Sequence, residues 1–127
     1  MMKKRNWYAA VLGIVLAATG VEPALAHGGE KPKHGGTVQV ARDLVFELVA
    51  QPGGAALYVE DHGKPMPLTG VTGRLTVLNG SDKSEVDLTS AGDRLEAKGV
   101  KLGSGAKVVA ALRTANQKAI TVRFTVR

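Results

Sequence analysis

Cysteine is absent from the 127-residue chain. That excludes a disulfide framework, a Cys-ligated zinc site, an iron–sulfur cluster and a thiol nucleophile. It also excludes a lipoprotein anchor, which needs a cysteine at the cleavage point. Aromatic residues are scarce: one Trp, two Tyr and two Phe in all. Trp7 and Tyr8 fall in the leader read below, which leaves Phe46, Tyr58 and Phe124. Sugar platforms and single-strand grooves are built on stacking rings. Three rings, with Phe46 and Phe124 on core-facing strand positions and Tyr58 expected at a rim, leave none for either. No apolar run reaches the roughly 20 residues of a spanning helix. No nucleophile-elbow motif frames a serine, and Ser81, Ser84, Ser90 and Ser104 all sit in or beside turn sequences. The chain is therefore read as not an enzyme.

What is present begins with a leader. Lys3, Lys4 and Arg5 form a positive start, Trp7 to Ala18 is nearly all apolar, and Glu22 and Pro23 end the run. Ala24-Leu25-Ala26 is a small-x-small cleavage site, so residues 1–26 read as a cleavable signal peptide and the mature protein as periplasmic. The formal +6 of the whole chain then loses Lys3, Lys4, Arg5 and Glu22, leaving +4. That is ordinary for a small exported domain and gives no reason to expect nucleic acid. No membrane span is expected after cleavage.

Residues 27–36, His-Gly-Gly-Glu-Lys-Pro-Lys-His-Gly-Gly, contain nothing apolar. They read as a flexible tail, since they bury too little to offset their ordering entropy. His-Gly-Gly occurs in it twice, seven residues apart. From residue 37 to 127 the period is two. Ile120, Val122, Phe124 and Val126 alternate with Thr121, Arg123 and Thr125. Similar faces run through Leu75 and Val77, Val86 and Leu88, Leu95 and Ala97, and Val108, Ala110 and Leu112. Leu44, Phe46, Leu48 and Ala50 form one face of a further strand. Val45 and Val49 on its other face indicate cover on both sides. Turn sequences separate the runs, Asn79-Gly80 among them as a tight hairpin signal. The expected fold is all-β, a small antiparallel Ig-like β-sandwich of about seven or eight strands behind the tail.

Chemistry, if any, rests on histidine. Cleavage after Ala26 would make His27 the first residue. Its α-amine and imidazole Nδ1 close a six-membered chelate, and glycine amides can add planar nitrogens, a donor set that suits Cu(II) first, with Ni(II) and Zn(II) behind it. His34 repeats the unit and can add an imidazole. His62, in a turn four residues before Met66, is the third candidate ligand, with Asp61 and Met66 as lesser ones. Each has a plain structural alternative: a cleavage marker for His27, a spacer for His34, a turn tip for His62, an edge contact for Met66.

The stretch His34-Gly35-Gly36-Thr37 before the Leu44–Gln51 run resembles a family of small bacterial periplasmic domains with a leading His-Gly-Gly. So do Leu57-Tyr58-Val59-Glu60-Asp61-His62-Gly63-Lys64-Pro65 and Gly105-Ala106-Lys107-Val108-Val109. Segments of this kind occur in the adaptor (membrane fusion) subunits of heavy-metal efflux pumps and in proteins near them. The resemblance implies a metal-efflux or resistance setting. The sequence shows no helical hairpin or lipoyl-like segment, so it is not expected to be a pump adaptor itself. It is also similar to periplasmic copper carriers that begin at a histidine, but their late second histidine has no counterpart after His62. Two functional expectations follow. One is a metal-binding accessory protein with copper or zinc on His27, His34 and His62. The other is a metal-free interaction module that docks an efflux-pump or envelope protein.

Overall fold

A computed structural model describes residues 30–127. The proposed signal peptide and His27 lie outside the described residues. Alternation of apolar and polar residues produces nine antiparallel strands and, among the described residues, no helix. These are β1 (Thr37–Ala41), β2 (Leu44–Gln51), β3 (Gly54–Asp61), β4 (Lys64–Pro65), β5 (Thr72–Asn79), β6 (Asp82–Ala91), β7 (Arg94–Lys98), β8 (Lys107–Arg113) and β9 (Ala119–Thr125). Nine is slightly more than the seven or eight expected, and the strands that periodicity did not mark are β1 and the two-residue β4, too short or too mixed to announce themselves.

The strand order is β1-β2-β3-β7-β6-β5-β8-β9, with β4 paired to β3. β5, β6 and β7 are joined by hairpins, and β8 returns to lie beside β5. That spatial order, 8-5-6-7, is a Greek key. β6 carries the chain between two sheets: Asp82–Leu88 pairs with β5, and Thr89–Ala91 pairs with β7. β1 lies beside β9, so the whole is a nearly closed, sandwich-like sheet. The β5–β6 hairpin pairs Asn79 with Asp82, which places the turn on Gly80-Ser81, one residue later than the sequence signal. Gly80 takes the positive φ of 62° that the first position of a type II′ turn requires.

The core forms where the inward faces meet. Phe46, Leu57, Leu75, Val77, Leu95 and Val108 are its largest fully buried side chains. Ile120, Val122 and Phe124 close it from β9, and Arg123 and Thr125 point to water. Ala50, expected on the inner face of β2, is exposed at the strand's end. The opposite face of β2 is covered too, as Val45 and Val49 suggested. Glu47 lies between them and is the one buried charged residue among those described, at 6% exposure. What covers it is the segment just before β1. No helix among the described residues is long and apolar enough to cross a membrane.

Candidate functional site: the Glu47–His34–Tyr58 cluster

Glu47 stands mid-strand in β2, directly opposite Tyr58 of β3 and Val38 of β1. A carboxylate buried there needs partners for its lone pairs. They come from the chain preceding β1. The backbone N–H of Lys33 donates to Oε1 at 3.0 Å, and those of His34 and Gly36 donate to Oε2 at 2.8 Å each. The His34 ring adds a fourth bond, Nδ1 to Oε1, at 3.0 Å. Burial pushes the Glu47 carboxyl up. The His34 side-chain bond and the backbone bonds from Gly36, Lys33 and His34 outweigh that and hold it below the ordinary carboxylate value.

The second His-Gly-Gly acquires a structural reason here. Gly35 has φ 75°, in the left-handed region that favours glycine. Gly36 runs so close to β2 that a Cβ would collide with the Leu48 carbonyl oxygen. Residues 33–36, the far half of the stretch read as a tail, are thus fastened across β2. Its first three residues, His27 to Gly29, lie outside the described residues.

His34 is held on two sides. Its ring stacks on Tyr58 with centroids 3.7 Å apart and planes 5° from parallel. Tyr58, expected at a rim, is instead the platform for this stack. With Glu47 accepting from Nδ1–H, the remaining nitrogen, Nε2, has no hydrogen-bond partner among the described residues, and 40% of the side chain is exposed. Beside it Lys33 Nζ bridges both oxygens of Glu60 at 3.0 and 2.8 Å. That contact raises the lysine's pKa, chiefly through the side-chain bond to Glu60. The cleft shared by Lys33, His34, Tyr58 and Glu60 encloses about 20 Å³, room for one water.

His62 is elsewhere. It and Gly63 form the β3–β4 turn with φ 54° and 83°, and its Nδ1 contacts Asp61 Oδ1 at 2.6 Å. Its side chain is 86% exposed. Met66 lies against the core, and its N–H donates to the Val59 carbonyl. Asp61, His62 and Met66 line an open cleft of roughly 530 Å³ at one end of the sandwich, with Arg42, Leu44 and Lys118. His34 lines none of it. The structure therefore does not bring His34 and His62 together. Among the described residues no group of three or more His, Asp or Glu is placed to hold a metal ion.

Glu47 and Tyr58 are the site residues that the sequence alone did not single out. The available signal was a lone acidic residue between two valines on a strand covered on both sides. No family model, no curated protein and no solved structure matches the chain.

Proposed function

We propose that the chain is an exported, periplasmic metal-binding accessory protein of a heavy-metal efflux or resistance system, with Cu(II) or Zn(II) as its cargo. The observation that supports this reading is the presentation of His34. A ligating imidazole needs one nitrogen bare and the ring oriented. Metal-bound histidines typically donate their other N–H to a carboxylate. His34 has that arrangement, with no hydrogen bond to Nε2 among the described residues.

The described residues fit a metal in part. His34 offers one nitrogen and cannot offer the chelating Gly36 amide, whose N–H is engaged with Glu47. Further donors would come from His27 and its α-amine, outside the described residues. A shell completed only in part by the carrier leaves positions for a partner's ligands, which suits handover to a transport protein. His62, remote and tied to Asp61, is a minor ligand at most in this reading.

A second reading is supported by Glu47 itself. Its four bonds and the close approach of Gly36 account for His34-Gly35-Gly36 as a structural clasp with no metal involved. The domain would then be an interaction module docking an envelope or efflux protein.

Titration of the exported chain with Cu(II) and Zn(II) by calorimetry, with His27→Ala, His34→Ala and His62→Ala alongside, separates the two. Metal carriage requires wild-type binding that His27→Ala and His34→Ala each weaken and His62→Ala leaves nearly unchanged. Equal binding by all three variants, or loss in His62→Ala alone, rejects it. An intact mass that does not begin at His27 removes the α-amine from the ligand set.

A further inference from the structure

We propose that the chain partners with a second copy of itself by exchanging residues 33–41, the clasp segment and β1, so that Glu47 of each copy holds the partner's His34. Such exchange is open to the chain whether or not it carries metal.

The hinge is the β1–β2 turn. Among the described residues, four two-residue hairpin turns carry glycine: Pro52-Gly53, His62-Gly63, Gly80-Ser81 and Gly92-Asp93. The β1–β2 turn, Arg42-Asp43, is equally short and has none. Both of its residues take left-handed φ, 53° and 65°. Positive φ at both central positions is the backbone of a type I′ turn, for which Asn-Gly is the favoured pair, and other side chains are strained there. An extended hinge releases that strain, and short strained hinges promote exchange of the element they carry.

β1 is loosely seated. Among the described residues it and β4 are the strands that bury no side chain. Its outer edge lies beside β9 without a hydrogen-bonded ladder. It is held by its ladder to β2 and by the bonds from Lys33, His34 and Gly36 to Glu47. The same segment of a second copy can make all of these contacts unchanged, which is the condition for strand exchange.

The register adds contacts that one copy lacks. The β1–β2 pairs run from Thr37–Leu48 to Ala41–Leu44. The next step of that register is Arg42 with Asp43. In one copy the two are neighbours in the turn. Where the extended hinges of two copies cross, Arg42 of each stands opposite the partner's Asp43, and opposite charges placed so stabilise a sheet. Both residues are exposed, and neither forms an ion pair among the described residues. The exchanged dimer thus keeps the contacts of β1, relieves two hinges and gains two charge pairs, set against the entropy of association.

The test asks which chain supplies β1. Metal-free exported chain, unfolded and refolded at high concentration, should elute in part as a species that light scattering weighs at twice the monomer mass. When ¹³C-labelled and unlabelled chains are refolded together, isotope-filtered NOEs in that species should connect Val40 of one chain to Val45 of the other, an opposed pair of the β1–β2 ladder. Arg42→Asn combined with Asp43→Gly gives the closed turn its favoured residues. This variant should keep the β-type circular dichroism spectrum and lower the dimer association constant about tenfold or more. A wild-type chain that stays monomeric after concentrated refolding overturns the proposal. So does a dimer whose Val40–Val45 NOEs run only within one chain, which is a surface dimer without exchange. A folded double variant that dimerises as the wild type does removes the hinge as the cause and rejects it as well. If the double variant does not fold, the two wild-type measurements decide alone.

Discussion

Glu47 shows how one residue can convert a polar stretch into part of a fold. Lys33–Gly36 has no apolar side chain with which to hold itself to the sheet. Its attachment is made of hydrogen bonds to a carboxylate already committed to a buried position, and charge-assisted bonds are the strong kind. The attachment is therefore pH-dependent, and its sign is fixed by the direction of the Glu47 shift. The folded-state pKa lies below the unfolded one. The stabilisation is complete above the ordinary glutamate value of about 4.3 and is lost as pH falls through the lower folded value. In the metal-free protein, the amide proton shifts of Lys33, His34 and Gly36 should titrate together, with a midpoint below about 4.3. A midpoint at or above that value, or three unrelated midpoints, would contradict the clasp. Little of this was legible in advance. The glycines of residues 27–36 read as freedom, and two of them, Gly35 and Gly36, turn out to be required by a turn and a close approach.

Strands were the legible level. An element with one wet face and one dry face declares its register by alternation, and β5, β7, β8 and β9 bury the residues that their period assigns. β1 did not declare itself, because its valines, Val38 and Val40, share the face away from the core and Val40 is 55% exposed. β4 is two residues long and exists only as a pairing to the end of β3. The two-sheet course of β6 is invisible to periodicity, since alternation continues while the pairing partner changes from β5 to β7. Strand order escapes for a similar reason: the return of β8 to β5 is a long-range pairing that no local pattern encodes. The register of β9 can be tested by exchange of face. Val122→Asp would bury an unpaired carboxylate opposite Ala110, at a cost of several kcal/mol by order of magnitude. That is comparable with the whole stability of a small domain. The variant should lack a cooperative thermal transition. Arg123→Ser, one residue along and exposed, should stay within about 0.5 kcal/mol of wild type. Equal tolerance at the two positions would mean that β9 is not seated as described.

At the scale of the molecule, the candidate site and the core are separable. Every residue of the core cluster is apolar, drawn from both sheets and the loops that cap them. The two described histidines lie outside it, His34 against the outer face of β2 and β3 and His62 on the β3–β4 turn. Zinc fingers are the opposite case, in which the metal substitutes for a core and its removal unfolds the chain. A metal held here on His34 would stabilise only by mass action, through preferential binding to the folded state. The increment is about 2.7 kcal/mol at a free concentration a hundredfold above the dissociation constant. Far-UV circular dichroism recorded with excess chelator and with Zn(II) should therefore superimpose, both showing β structure. The thermal midpoint with Zn(II) should be the higher by some degrees. The comparison is informative because the two ways of failing are physically distinct. A spectrum that collapses on chelation would place the metal inside the folding unit, at odds with a core closed by apolar faces alone. Identical spectra with identical midpoints at saturating Zn(II) would mean that the folded state binds no better than the unfolded chain, which leaves the cluster at Glu47 as a clasp.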